Sequence, residues 1–147
     1  MTDTQLLTEL QKPAYASLRT ARNDAGLAAL FAVATDSTVW RSSVSRADLL
    51  KVVVGLDAYG GLMTARDTPG HPLRSVAYGF LLMLNNPDST IDFTDAGNQQ
   101  LAGVLENVTT GLGTAILAVG KRRATLAESL WGAGSVVSAD DVSRVLN

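Results

Sequence analysis

Cysteine is absent from the 147 residues, which removes disulfides, thiolate metal sites and cysteine nucleophiles together. Aromatic residues make up only 5%, so a core of close helix contacts is expected rather than aromatic-rich sheet faces. His71 is the only histidine, and any Ser-His-Asp arrangement must therefore use it as the base. Charge of either sign is nearly balanced at a net −2, which gives no global attraction to nucleic acid or to an anionic membrane surface. Long apolar runs are also missing. The stretch from Ala47 to Ala65 comes nearest, but Lys51 and Asp57 interrupt it, and it falls short of a bilayer span. MTDTQLLTEL at the start has neither the basic head nor the apolar run of a secretory signal. The expectation is a soluble protein made in the cytoplasm, with no membrane contact.

What is present is 46% hydrophobic residues, enough to build one core in a single domain spanning 1–147. Helix-start grammar recurs. Thr2 with Gln5, Ser45 with Asp48, Thr125 with Glu128 and Ser138 with Asp141 each place a hydroxyl three residues before an acid or amide, the spacing of a capping box. Thr94 and the Asn23-Asp24 pair are further candidate caps. These starts predict helices near 3–11, 14–22, 24–34, 46–65, 72–85, 95–107, 114–123, 126–131 and 139–146, with Pro13, the run from Asp67 to Pro72 and the run from Asn85 to Asp88 as breaks. Ser135 to Val137 reads as a brief extended lead. The stretches 47–56 and 76–84 are apolar around nearly their whole circumference, which means burial on most sides or one face left for a partner. The fold expected is all-α, two central apolar helices wrapped by short flanking ones.

Gly111 to Thr125, GLGTAILAVGKRRAT, is the one stretch with the look of a phosphate cradle. A P-loop needs two glycines five apart, then Lys and a hydroxyl residue. Here Gly113 and Gly120 are seven apart and Arg122 takes the hydroxyl position. The dinucleotide fingerprint fails too, because Ile116 stands where its third glycine belongs. A short apolar helix from Thr114 to Val119, with Lys121, Arg122 and Arg123 favouring its negative carboxyl end, explains the composition better. Those three cations are also the candidate nucleic-acid contact, although the final helix opens Ala139-Asp140-Asp141 and would repel phosphates where base-reading residues belong. His71 sits in a Pro-Gly-His-Pro loop with no Gly-x-Ser-x-Gly elbow anywhere in the chain. Asp88, Asp92 and Asp95 miss the calcium-loop spacing, and turn and cap roles explain Asp88 and Asp95 without a metal. No catalytic residue, cofactor or metal ligand set is expected.

Three stretches carry a family likeness. LTELQKPAY, Leu7 to Tyr15, resembles the Glu-Leu-x-Lys-Pro-x-Tyr opening of small proteins encoded in the structural-gene modules of tailed bacteriophages. Asn86-Pro87 followed by Ile91-Asp92-Phe93, and the ending from Thr125 to Gly132 with Val137 to Val142, are similar to later parts of the same group. The likeness spans most of the chain, and its motifs are structural rather than chemical. It implies a non-enzymatic virion component, localised to the particle after synthesis in the host cytoplasm, at the tail or the head-to-tail neck. Its partners would be other phage structural proteins and copies of itself. The alternatives are a tail assembly chaperone absent from the mature particle, a small wall-degrading accessory using His71, or a weak nucleic-acid-binding accessory. Trp40, Tyr59, Tyr78 and Trp131 are the candidate interface anchors, against the plainer reading that each packs in the core.

Overall fold

Helix starts are set by hydroxyl and amide caps. Thr2, Thr125 and Ser138 form reciprocal capping boxes with Gln5, Glu128 and Asp141, while Ser45, Asn23 and Asp95 each accept a backbone N–H from the first turn of their helix. Each such cap contributes about 1 kcal/mol by satisfying an otherwise unpaired donor. In this computed structural model, which describes every residue from Met1 to Asn147, the order is α1 (Asp3–Leu10), a 3₁₀ turn (Pro13–Tyr15), α2 (Ala16–Thr20), α3 (Asp24–Phe31), β1 (Ala34–Trp40), β2 (Val44–Ser45), α4 (Arg46–Gly55), α5 (Tyr59–Asp67) and α6 (Arg74–Asn85). It continues with β3 (Thr90–Ile91), α7 (Ala96–Val104), a 3₁₀ turn (Leu105–Asn107), α8 (Leu112–Val119), β4 (Lys121–Thr125), α9 (Leu126–Trp131) and α10 (Ala139–Leu146).

The all-α expectation is overturned. Ten helices take up 61% of the chain, but four strands form two small antiparallel sheets. β1 pairs with β4, and β2 pairs with β3 with Val44 opposite Ile91. The strands are hard to see in the sequence for a physical reason. Ala34, Asp36, Ser37 and Thr38 in β1 and Lys121, Arg122 and Arg123 in β4 are all exposed, so the apolar alternation that marks a half-buried strand is missing. Pairing comes instead from contacts distant in sequence, such as the Thr35 hydroxyl donating to the Ala124 carbonyl at 3.1 Å.

The helix expected over 46–65 is likewise two helices. Asp57 takes a left-handed conformation, φ +50°, its N–H donates to the Val54 carbonyl at 3.1 Å, and Ala58 N–H donates to Val53 at 2.9 Å. That pair of bonds is a Schellman end. Arg22, φ +50°, ends α2 the same way, with Arg22 N–H on Arg19 and Asn23 N–H on Leu18, both at 3.0 Å.

The chain divides into two compact units, Met1–Val39 with Arg123–Asn147, and Trp40–Arg122. In the first, Leu6, Leu10, Leu27, Phe31, Ala127 and Val142 are buried together. Phe31 stands between Tyr15 and Trp131, with ring centroids 5.7 and 5.5 Å away. Arg144 joins α10 to α1 through Asp3, at 2.8 and 3.2 Å. The second unit has its own core, in which Leu49 and Val53 of α4, Leu62 of α5, Phe80 and Leu84 of α6 and Ile116 of α8 are buried. The two all-round apolar helices, α4 and α6, touch each other there.

Glu128 is the one buried charged side chain, 5% exposed. Its carboxylate accepts from Thr125 N–H at 3.0 Å and Gly134 N–H at 2.9 Å, joining the start of α9 to the turn after it. Glu128→Ala strips both donors of a partner and is expected to cost about 1–3 kcal/mol. Urea unfolding followed by far-UV circular dichroism measures it.

Candidate functional site

The glycine-rich stretch does hold an anion, and the anion belongs to the chain itself. Gly111, φ +85°, turns the backbone into α8, and its N–H donates to one oxygen of the Glu106 carboxylate while Thr114 N–H donates to the other at 3.0 Å. The backbone N–H groups of Thr114 and Gly111 hold the Glu106 carboxyl below the usual glutamate range. Gly113 has a different duty. A Cβ there would stand 2.8 Å from the Gly103 carbonyl oxygen and 2.9 Å from that of Ala102, so glycine lets α8 press directly on α7. The positive end of a helix suits phosphate as it suits carboxylate, and here Glu106 fills it.

At the other end of α8 the sequence-based assignment needs correcting. Lys121, Arg122 and Arg123 do not sit in a helical last turn, because α8 ends at Val119 and they form β4. Arg41 supplies the positive charge there: its Nη1 donates to the Val119 carbonyl at 3.3 Å and its backbone N–H to Gly120 at 2.8 Å. A strand points successive side chains to opposite faces, so the three cations are not gathered as a helix end would gather them. Lys121 is engaged further, its Nζ lying 4.6 Å from the centroid of the Trp40 ring, a cation–π distance.

The four aromatic anchors fall into two pairs. Trp40 is half-buried, its ring 6.3 Å from that of buried Phe93, and Trp131 is half-buried against Phe31. Tyr59 and Tyr78 are 41% and 52% exposed, and both lie within electrostatic reach of Arg66. Nδ1 of His71 accepts the Leu73 N–H at 3.1 Å, so the ring tightens the loop before α6. Asp95, not Thr94, caps α7, because the N–H and the hydroxyl of Thr94 both donate to Asp92, at 2.8 and 2.6 Å. No group of three metal-ligating side chains converges anywhere in the chain, and no helix is long and apolar enough to cross a membrane.

Two hollows lie within the Trp40–Arg122 unit; one, of about 550 Å³, is lined by the charged Arg66, Asp67 and Arg74 with Ser75 and Tyr78, and the other is apolar. The apolar cleft, of about 420 Å³, is lined by Gly79 and Met83 of α6, Leu101 and Ala102 of α7, Leu105 and Ile116. Leu101 on its lip is 51% exposed. On the adjoining outer face of α6, Tyr78 and Leu82 are each 52% exposed. Gly79 is mid-helix, and nothing lies within 4 Å of the place a Cβ would occupy. A glycine there costs the helix about 1 kcal/mol relative to alanine, with no packing reason inside the chain. The signal in the sequence was the all-round apolarity of 76–84 with a glycine in its middle; which side stayed uncovered was not in it.

Gly79→Ala is therefore expected to stabilise the isolated protein by about 0.5–1 kcal/mol, read as a higher urea midpoint with an unchanged slope. Glu106 gives a pH signature. Because its folded-state pKa is lowered, its contribution is complete above the ordinary glutamate range and is lost as pH falls through the lowered folded value. Glu106→Gln should flatten that part of the acid limb, the difference from the parent protein shrinking to nothing at low pH. No protein-family model, no curated protein and no solved structure matches this chain.

Proposed function

We propose that this chain is a non-enzymatic structural or assembly protein of a tailed-bacteriophage particle, acting by protein–protein contact through the apolar cleft and the outer face of α6. The observation that carries the reading is the concentration of uncovered apolar surface there: Leu101 at the lip of an apolar cleft, with Tyr78 and Leu82 beside it, each about half exposed. Isolated exposed apolar side chains are ordinary, but a concave apolar floor flanked by several of them is the anatomy of a contact site. The resemblance of Leu7–Tyr15, of Asn86-Pro87 with Ile91–Phe93, and of Thr125–Gly132 with Val137–Val142 to phage structural-module proteins supplies the setting. Contact sites of this kind are anchored by a few large side chains, and Tyr78 and Leu101 have the size and exposure for it. A tail assembly chaperone would use the same surface and then leave the particle.

Leu101→Arg tests the reading. As a surface change it should alter stability by no more than about 0.5 kcal/mol, while particles made with only this variant should stall in assembly. The protein in purified particles at a fixed copy number marks a permanent component, and its presence only in assembly intermediates marks a chaperone. Normal particle yield in the complete absence of the protein would defeat both. Retention on DNA that weakens steeply with salt and is lost on neutralising Lys121, Arg122 and Arg123 would point instead to the nucleic-acid alternative.

A further inference from the structure

We infer that the outer face of α6 is a self-association surface, on which α6 of a second copy lies antiparallel with Leu82 of each copy seated over Gly79 of the other. This rests on the protein-contact reading above and names the partner. Leu82 and Gly79 are three residues apart and both exposed on α6, so they are neighbours on one helix face. One is a projecting apolar knob and the other an opening with no atom near its missing side chain. A two-fold axis passing midway between them exchanges knob and opening, which is the self-complementarity an isologous dimer requires. The same axis sets Tyr78 opposite Met83, a residue lining the cleft, so each ring would cover part of the other copy's apolar lip.

Charge selects the direction. Arg74 is exposed at the first residue of α6, against the helix dipole, and its Nε donates to the Arg66 carbonyl at 3.0 Å. Arg66 in turn is paired with Asp67 at 2.7 and 2.8 Å, so two cations share one carboxylate and that end is positive. Beyond the other end stand Asp88 and, further along the same connection, Asp92 and Asp95, all exposed. Arg46 also reaches that end, its Nε donating to the Leu84 carbonyl, and keeps its charge, so the three exposed carboxylates outnumber it. An antiparallel pair sets Arg74 against the Pro87–Asp88 turn of the other copy at both ends, whereas a parallel pair would set like charges together. The helix is only about 18 Å long at 1.5 Å per residue, so the association is weak and concentration-dependent.

Sedimentation velocity on the full chain across a wide concentration series decides it. The wild-type protein should pass from one chain to two. Gly79→Leu fills the opening and Leu82→Arg removes the knob; both should remain single chains, with thermal midpoints showing that they stay folded. Arg74→Asp and Asp88→Arg should each self-associate about tenfold more weakly, yet an equimolar mixture of the two should dimerise, because each then meets an opposite charge at both ends. Dimerisation of Gly79→Leu and Leu82→Arg equal to wild type overturns the inference, as does failure of the mixture to recover. A wild-type chain that stays single at every concentration, but binds another purified particle protein in a manner abolished by Leu101→Arg, also overturns it and leaves the protein-contact reading standing.

Discussion

The close approach of α8 to α7 is the constraint on which the larger unit depends. Backbone meets backbone where Gly113 faces the Gly103 and Ala102 carbonyls, a distance no side chain permits. Glu106, from the turn between the two helices, then satisfies the N–H groups that begin α8. One residue supplies the clearance and another the cap. Together they fix where Ile116 meets Ala102 and Leu105, the floor of the cleft. The opposite wall comes from α6, whose inner face is tied down by Phe80, Leu81 and Leu84. The concavity is thus set by a helix pair with little room to slide, and its apolar rim is carried on helices rather than loops.

Exposure is uneven in a telling way. Val54 is 67% exposed and Val136 76%, so apolar side chains in water are not confined to the cleft. What distinguishes α6 is that its uncovered side chains adjoin a hollow, and that its interior glycine leaves that side of the helix unfilled. Burial of its inner face explains four of its residues; the outer face has no explanation within the chain.

Much of the helical plan was legible because caps are local. A hydroxyl and an acid three residues apart need nothing beyond their own turn of backbone, and Thr2, Thr125 and Ser138 formed their boxes where the spacing put them. Helix ends were less readable, because glycine is their usual mark. α4 closes instead on Asp57 in a left-handed conformation, which gives no such sign in the sequence, so the helix expected to run on to Ala65 stops at Gly55. The strands were least readable, since β1 and β4 take their order from each other across many residues and carry no apolar alternation. As for the site, the sequence showed the stretch around Tyr78 as apolar on all sides, which fits burial as well as a face left for a partner. It did not show Leu82, Leu101 and Gly79 as one surface, because that depends on how α6 and α7 are turned.

The smaller unit is discontinuous, its residues supplied by Met1–Val39 and Arg123–Asn147 with Trp40–Arg122 in between. A chain synthesised from its amino end can therefore complete the intervening unit first, since all of its core residues fall within one continuous segment. Leu6, Leu10, Leu27 and Phe31 must meanwhile wait, uncovered, for Ala127, Val137 and Val142 to emerge from the ribosome. Synthesis in this order thus leaves an apolar half-core incomplete until α10 is made.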